Sequence, residues 1–487
     1  MKQWNCLVGI LLLGSGIAWA EGDFNALPRA SSPEAEGISS RAILDYIEAC
    51  ERNLQYLHGF VLVRHGKIVA EGSWAPYDTL REPHMLYSHS KSFTSTAVGL
   101  LADEGKLDLD ERLVDLFPEQ IPAAPSANLQ ALRIRDLLTM NTGADITDSE
   151  RKDIAGDWVK AILHNPIDHP PGTRFRYDSA ATHLLAAIVE KRTGRPLMDF
   201  LAERLFKPIG IEKAWSTVSP TGVACGGWGM YMTTRELARF GLLYLREGEW
   251  NGRRILSPSW VRLATARHTA SGPNRTTADS GSDWDQGYGF QFWRCRHDCY
   301  RADGAGGQFT LVMPHCDAVL SVHAGLGPMQ LELNQVWQNL LPAFKDRPLP
   351  EDPKAYAALQ QKLAALAIPP PPVAPDQSPV RFTGTAATNR FGIAACTLEK
   401  KADGTWLLQT GGRTLKVGIN RWIRNEWVFS GSRIEPLFAA VGKWNLALSG
   451  GWNSKGEFTV TWMNLNGPQR DTFAILPDRA SPPKPPQ

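Results

Sequence analysis

The sequence predicts an α/β or α+β layered domain followed by a separate, smaller all-β domain. Three observations carry this. β-Hairpin signals stand at both ends of a long, mostly helical middle. A run of prolines at Pro369 to Pro372 then interrupts the chain. Beyond it, short β-type runs alternate with glycine turns. At 487 residues the chain exceeds one average domain, and its 43% hydrophobic content suffices for a sizeable core.

The first segment reads as an export signal. Lys2 supplies a positive start, Leu7 to Trp19 an apolar stretch, and Ala18-Trp19-Ala20 the small-x-small pattern for cleavage after Ala20. Gly9, Gly14 and Gly16 break the stretch, and it is too short for a membrane anchor. Residues 1–20 are therefore expected to be a signal peptide and the mature chain periplasmic or secreted, with no membrane span. The formal net charge is +2, with Lys and Arg scattered, which gives no footprint for nucleic acid or anionic lipid.

From there the elements follow in order. Gly59 to Gly72 reads as two strands around a His65-Gly66 turn. Helical apolar spacing marks Ser92 to Glu104, ending at Gly105, and Thr182 to Arg192, ending at Gly194. A third helix spans Thr233 to Glu247, capped by Thr233 or Thr234. Gln308 to Met313 and Ala318 to Ala324 read as adjacent strands. The layered domain is expected over residues 21–365, a stiff proline-rich connector over 366–379, the all-β domain over 380–477 and a disordered tail over 478–487. In the all-β domain, Trp406, Trp422, Trp427, Trp444, Trp452 and Trp462 read as barrel or sandwich core rather than a carbohydrate platform.

Export puts the cysteines in an oxidising compartment, where the six that follow residue 20 can pair. Cys295 and Cys299 are the disulfide candidate: with Arg296-His297-Asp298 as a hairpin loop they would face each other at a bridgeable distance. A zinc site using His297 is disfavoured, because a hairpin cannot aim these side chains tetrahedrally at one ion. Asp108, Asp110 and Glu111 read as turn and helix-start residues rather than a metal cluster, so no metal and no cofactor is expected.

The chemistry concentrates at Ser88-x-x-Lys91, just before the first helix. Three residues make almost one helical turn, which brings the Ser88 hydroxyl and the Lys91 amine to one face. A serine becomes a nucleophile when something takes its proton, and a lysine does so when its surroundings disfavour its charge. The stretch Leu86-Tyr-Ser-His-Ser-Lys-Ser-Phe-Thr-Ser-Thr-Ala97 with Asp103-Glu-Gly-Lys-Leu-Asp-Leu-Asp-Glu111 resembles the class C β-lactamase-related serine hydrolases. That family includes β-lactamases, D-alanyl-D-alanine carboxypeptidases, esterases and 6-aminohexanoate-dimer hydrolases. The likeness continues through Leu137 to Gly143, Pro171 to Ser179, Gly229 to Gly241 and Gly287 to Trp293, covering about residues 35–343 in consistent order.

The resemblance implies an antiparallel sheet flanked by helices plus a helical subdomain, and it implies site residues. Tyr177-Asp178-Ser179 stands where the family has Tyr-x-Asn, so Tyr177 is expected to relay a proton, with Ser179 in place of the asparagine. Ala305-Gly306-Gly307 stands where the family has Lys-Thr-Gly, and the Gln308 amide is expected to form an oxyanion hole with that of Ser88. These two replacements drop a carboxamide donor and a cation, groups suited to β-lactams and D-Ala-D-Ala peptides. His89 is assigned no proton-transfer role.

The reading is thus a serine hydrolase of small-molecule ester, amide or peptide-like substrates, of carboxylesterase or small-amide type. Peptidoglycan D,D-peptidase or β-lactamase activity is the alternative within the same chemistry. A non-catalytic binding or sensor protein is the alternative outside it.

Overall fold

The structure, a computed structural model, describes residues 27–54, 56–145, 156–271, 281–325, 327–373, 380–389, 391–428 and 443–478. The export segment, Cys6, most of the tail and part of the connector lie outside the described residues.

A six-stranded antiparallel sheet is assembled from both ends of the first domain. Its strands are β1 (Leu57–Arg64), β2 (Lys67–Ser73), β3 (Trp293–Arg294), β4 (Tyr300–Gly304), β5 (Gln308–Met313) and β6 (Ala318–Ala324), in the order β2-β1-β6-β5-β4-β3. The expected hairpins are present, and β5 and β6 have the bounds read from sequence. Strand alternation decides which core each residue joins. Phe60, Leu62, Phe309, Leu311, Leu320 and Val322 face one apolar cluster with α1 (Ser40–Asn53). Val61, Val63, Val312 and Val319 face the other, built on the helical middle. The sheet is therefore buried on both faces.

Two helices of that middle carry the site. α2 (Ser90–Asp103) is buried nearly all round although it is rich in Ser and Thr. Its hydroxyls have partners: Ser92 bonds the Gln291 carbonyl, Thr94 the Gly226 carbonyl and Ser95 the Phe290 carbonyl, so burial leaves no orphaned hydroxyls there. α3 (Ser179–Thr193) starts three residues earlier than apolar periodicity suggested, because Asp178 caps it by accepting from the Ala180 amide. α4 (Thr234–Leu245) follows Thr233 as N-cap, in a capping box with Glu236.

After the first domain, Leu366 and Ile368 of the connector are buried, and the Ile368 amide bonds the Ala75 carbonyl, while Pro369 to Pro372 are half-buried or exposed. The second domain is an eight-stranded antiparallel sheet: β7 (Arg381–Ala386), β8 (Ala395–Lys400), β9 (Trp406–Thr410), β10 (Arg413–Val417), β11 (Ile423–Val428), β12 (Lys443–Trp452), β13 (Phe458–Asn464) and β14 (Arg470–Pro477). Gly418, just past β10, meets β12 through the Gly418 amide on Leu448 and the Gly450 amide on Gly418, which rolls the sheet towards a barrel. Trp406, Trp427, Trp444 and Trp462 are buried in its interior. The same apolar cluster takes in Met85, Tyr231 and, partly, Tyr87 of the first domain, so the two domains share packing beside the Ser88 segment.

The bridge expected between Cys295 and Cys299 is not formed. The Cys295 amide does bond the Cys299 carbonyl across the Arg296-His297-Asp298 turn at 2.9 Å, so the hairpin is there. The sulfurs are otherwise engaged: the Arg301 guanidinium donates to Cys295 Sγ at 3.0 Å, and Cys299 Sγ donates to the His297 carbonyl at 3.3 Å. The six described cysteines are all free thiols, and burial pushes that of Cys295 up to about 11. Asp108, Asp110 and Glu111 form a turn held by bonds among themselves and ion pairs from Arg133, Arg135 and Arg192.

Candidate active site

Ser88 sits in the 3₁₀ turn Tyr87–His89 that leads into α2. Tyr87 has φ of +48°, a left-handed conformation unusual for an aromatic residue. The segment is pinned on either side of it. Met85 N–H bonds the Asn466 carbonyl at 2.8 Å and Leu86 N–H the Met230 carbonyl at 2.9 Å. Ser90 Oγ donates to the Tyr87 carbonyl at 2.7 Å and accepts from the Met230 amide at 3.1 Å.

Lys91, the second residue of α2 and one turn past Ser88, is 1% exposed. Its Nζ donates to Ser88 Oγ at 3.0 Å, Ser179 Oγ at 2.9 Å and the Gly227 carbonyl at 2.7 Å. Two of these three partners come from other elements: the first residue of α3 and the Gly226-Gly227 turn. That turn approaches closely because it lacks side chains; a Cβ on Gly227 would stand 2.8 Å from the Ser179 carbonyl.

Tyr177 lies beside this amine, with Nζ 4.8 Å from its ring centroid. Trp293 stacks on the same ring at 5.5 Å and Tyr288 meets it edge-on at 6.1 Å. The structure thus brings Ser88, Lys91, Tyr177 and Ser179 together. Sequence reading missed the aromatic wall of Trp293 and Tyr288 and the Gly227 carbonyl. The Gly-Gly pair before Trp228 was the available signal for the carbonyl.

The β4–β5 corner closes the other side. Gly306 and Gly307 have φ of +82° and +86° and make the turn, while Gln308 is fully buried. The Gln308 carboxamide is turned inward: Nε2 donates to the Ala324 carbonyl at 2.6 Å, and Oε1 lies 3.0 Å from His323 Nδ1. Gly304, opposite Gln308 in the ladder, is the residue pressed against the nucleophile segment; a Cβ there would stand 2.0 Å from the Leu86 carbonyl. Gly304 was not singled out from sequence, although it lies in the same glycine-rich run.

Electrostatics around the corner are set by buried charges. Arg301 is fully buried, pairs with Asp303 at 2.8 Å and lies over Trp284 at 4.4 Å. It therefore faces the interior and offers no cation to a ligand. Burial raises the Asp303 carboxyl above its ordinary range, and the Arg301 and Lys91 charges work against that rise. His89 is buried between Phe93 and Phe240, with neither ring nitrogen hydrogen-bonded, so it is a packed residue. Among the described residues no three His, Cys, Asp or Glu side chains are grouped to hold a metal ion.

The sequence model of the family described as Beta-lactamase matches residues 50–327. The 6-aminohexanoate-dimer hydrolase of Paenarthrobacter ureafaciens is 30% identical over 287 residues, 54% of this chain and 70% of that protein. Penicillin-binding protein 4 of Amycolatopsis lactamdurans is 27% identical over 299 residues, 54% of this chain and 77% of that one. A solved family VIII carboxylesterase superposes with a TM-score of 0.50 at 18% identity, covering 64% of this chain and 99% of its own.

Proposed function

The chain belongs to the Beta-lactamase family and is a hydrolase of that fold, and from that premise we propose that it cleaves small esters or amides through an acyl-enzyme on Ser88. The observation that carries this is the buried Lys91 amine, 3.0 Å from Ser88 Oγ and tied to Ser179 and Gly227. A neutral amine has two N–H donors and one lone pair. As the ammonium it donates to all three oxygens; once deprotonated, with its two donors kept on Ser179 and Gly227, its lone pair faces Ser88 Oγ and takes that proton.

In the reaction, Ser88 Oγ bonds to the substrate carbonyl carbon as its proton passes to Lys91. The Ser88 amide and an amide of the Gly304–Gln308 corner stabilise the oxyanion. Tyr177, against the amine, relays the proton to the departing oxygen or nitrogen as the carbonyl-to-leaving-group bond breaks. Water then attacks the acyl-enzyme, loses its proton to the same groups and frees Ser88.

Substrate choice follows from what the described residues of the pocket lack. Ser179 already accepts from Lys91, Ala305-Gly306-Gly307 brings no cation, and Arg301 is buried. That supports neutral esters and amides over substrates with a carboxylate beside the scissile bond. The name of the 6-aminohexanoate-dimer hydrolase relative supports an amide as one substrate class. No helix among the described residues is long and apolar enough to cross a membrane, and export through residues 1–20 is part of the proposal.

A fluorophosphonate probe, a short p-nitrophenyl ester, a linear 6-aminohexanoyl amide and a penicillin, each given to the wild type and Ser88→Ala, test the reading. The expected result is Ser88-dependent labelling and turnover of the ester or amide, with no penicillin hydrolysis. Absence of Ser88-dependent labelling refutes the acyl-enzyme. Rapid penicillin turnover refutes the argument from Ser179 and Ala305.

A further inference from the structure

The loop joining β13 to β14, residues 465–469, belongs to the barrel yet lies against both shoulders of the hydrolase site. On one side Asn466 bonds both ways with the strand before the nucleophile: its carbonyl accepts from Met85 N–H at 2.8 Å, and its Nδ2 donates to the Pro83 carbonyl at 3.0 Å. On the other, Pro468 packs on the β4–β5 corner, its Cβ 3.5 Å from where a side chain on Gly306 would begin. Between them Gln469 Nε2 donates to the Tyr87 hydroxyl at 2.7 Å.

The direction of that last bond is fixed from behind. Asn464 Nδ2 donates to Gln469 Oε1 at 2.7 Å, and the Asn464 amide bonds the Gln469 carbonyl at 2.8 Å. The carboxamide oxygen is thereby committed, which leaves Nε2 for Tyr87. Tyr87 precedes the nucleophile and holds φ of +48°. A bulky residue keeps such a conformation only where its surroundings impose it. The Ser88 amide and hydroxyl take their directions from that residue's backbone.

We propose that Gln469 is a positioning residue of the hydrolase site: through the Tyr87 hydroxyl, the C-terminal barrel fixes the turn that presents Ser88. The barrel is then a working part of the enzyme, and first-domain residues alone would present the nucleophile poorly. This rests on Ser88 being the nucleophile. Misplacement of a reacting group costs rate far more than it costs stability.

The test uses the full chain with Gln469→Ala, Gln469→Glu, Tyr87→Phe and the Gln469→Ala/Tyr87→Phe double variant. Fluorophosphonate labelling rate, kcat, KM and thermal midpoint are measured for each. Gln469→Ala and Tyr87→Phe are each expected to slow labelling and kcat by about tenfold or more, at near-constant KM and midpoint. The double variant should be no slower than the worse single one, since both remove the same bond. Gln469→Glu should recover most of the rate, because a carboxylate can accept from Asn464 and from a Tyr87 hydroxyl that now donates. Single variants within twofold of the wild type, or losses that multiply in the double variant, overturn the positioning role while Ser88 labelling stands. A wild-type chain that the probe does not label at Ser88 overturns the hydrolase reading, and this inference with it.

Discussion

Lys91→Met slows acylation of Ser88 by roughly a thousandfold or more, close to the loss from Ser88→Ala, while the protein stays folded. Methionine keeps the length and apolar stem of the side chain and removes the nitrogen. The fold is expected to survive because a buried amine is itself costly to keep. What is lost is the amine 3.0 Å from Ser88 Oγ, the group proposed to take its proton. Serine and lysine act as one unit, so Ser88→Ala/Lys91→Met should be no slower than either single variant. Labelling kinetics with a fluorophosphonate and the thermal midpoint, on the same samples, decide it. A loss below tenfold in a folded Lys91→Met protein removes Lys91 from the proposed chemistry.

Ser88, Lys91 and Tyr177 could be picked out in the sequence because one helical turn joins the first two and the resemblance to the β-lactamase-related hydrolases marks all three. Their meeting with Ser179 needed only two helix starts to be roughly right. The Gly227 carbonyl and the Trp293 and Tyr288 wall were not legible, since they reach the site from turns whose direction no periodicity encodes. The corner was read as the source of the Gln308 amide, and sequence did not single out Gly304, the glycine of that run that presses on Leu86. Glycine runs do not reveal which amide faces the ligand until the strand pairing is known. The Cys295–Cys299 turn formed as expected, and the thiols instead found Arg301 and a carbonyl. Gln469 was the least accessible of all: it lies 382 residues from Tyr87 along the chain, in a different domain.

The second large effect is acid lability. Lowering the pH from about 6.5 towards 4.5 is expected to unfold this protein with a steep dependence, the folding constant falling by roughly a thousandfold per pH unit at the steepest point. Four histidines cause it. His84, His89 and His323 are fully inaccessible and His58 nearly so, and burial depresses all four, to about 4 for His84 and about 3 for His89. Burial outweighs the hydrogen bond to the Met85 carbonyl, which by itself favours the charged form of His84. His84 Nδ1 lies 3.0 Å from the Met85 carbonyl and so carries the proton, which leaves Nε2 to accept from His58 Nδ1 at 3.0 Å. A proton added at His84 Nε2 would oppose that donor, and Arg470 further opposes charge on His58.

The sign follows from which state binds the proton. Between the unfolded value near 6.5 and the lower folded values, the unfolded chain takes up to four protons that the folded one refuses, so acid favours unfolding. Glu332 works the other way: buried beside Gly307 with neither oxygen hydrogen-bonded, it is held protonated in the folded state well above its ordinary range. Over the same window it offsets about one proton, leaving a net difference approaching three. Above about pH 6.5 only the Glu332 contribution remains of these, and stability declines gently as pH rises, which puts the optimum near neutrality. Urea midpoints between about pH 8 and 4.5 measure the curve, and His89→Leu, which removes a ring with no hydrogen bonds, should lower the acid slope by one proton. A slope of one proton or fewer across that window would mean these rings become charged within the folded protein, and the account of their burial would fail.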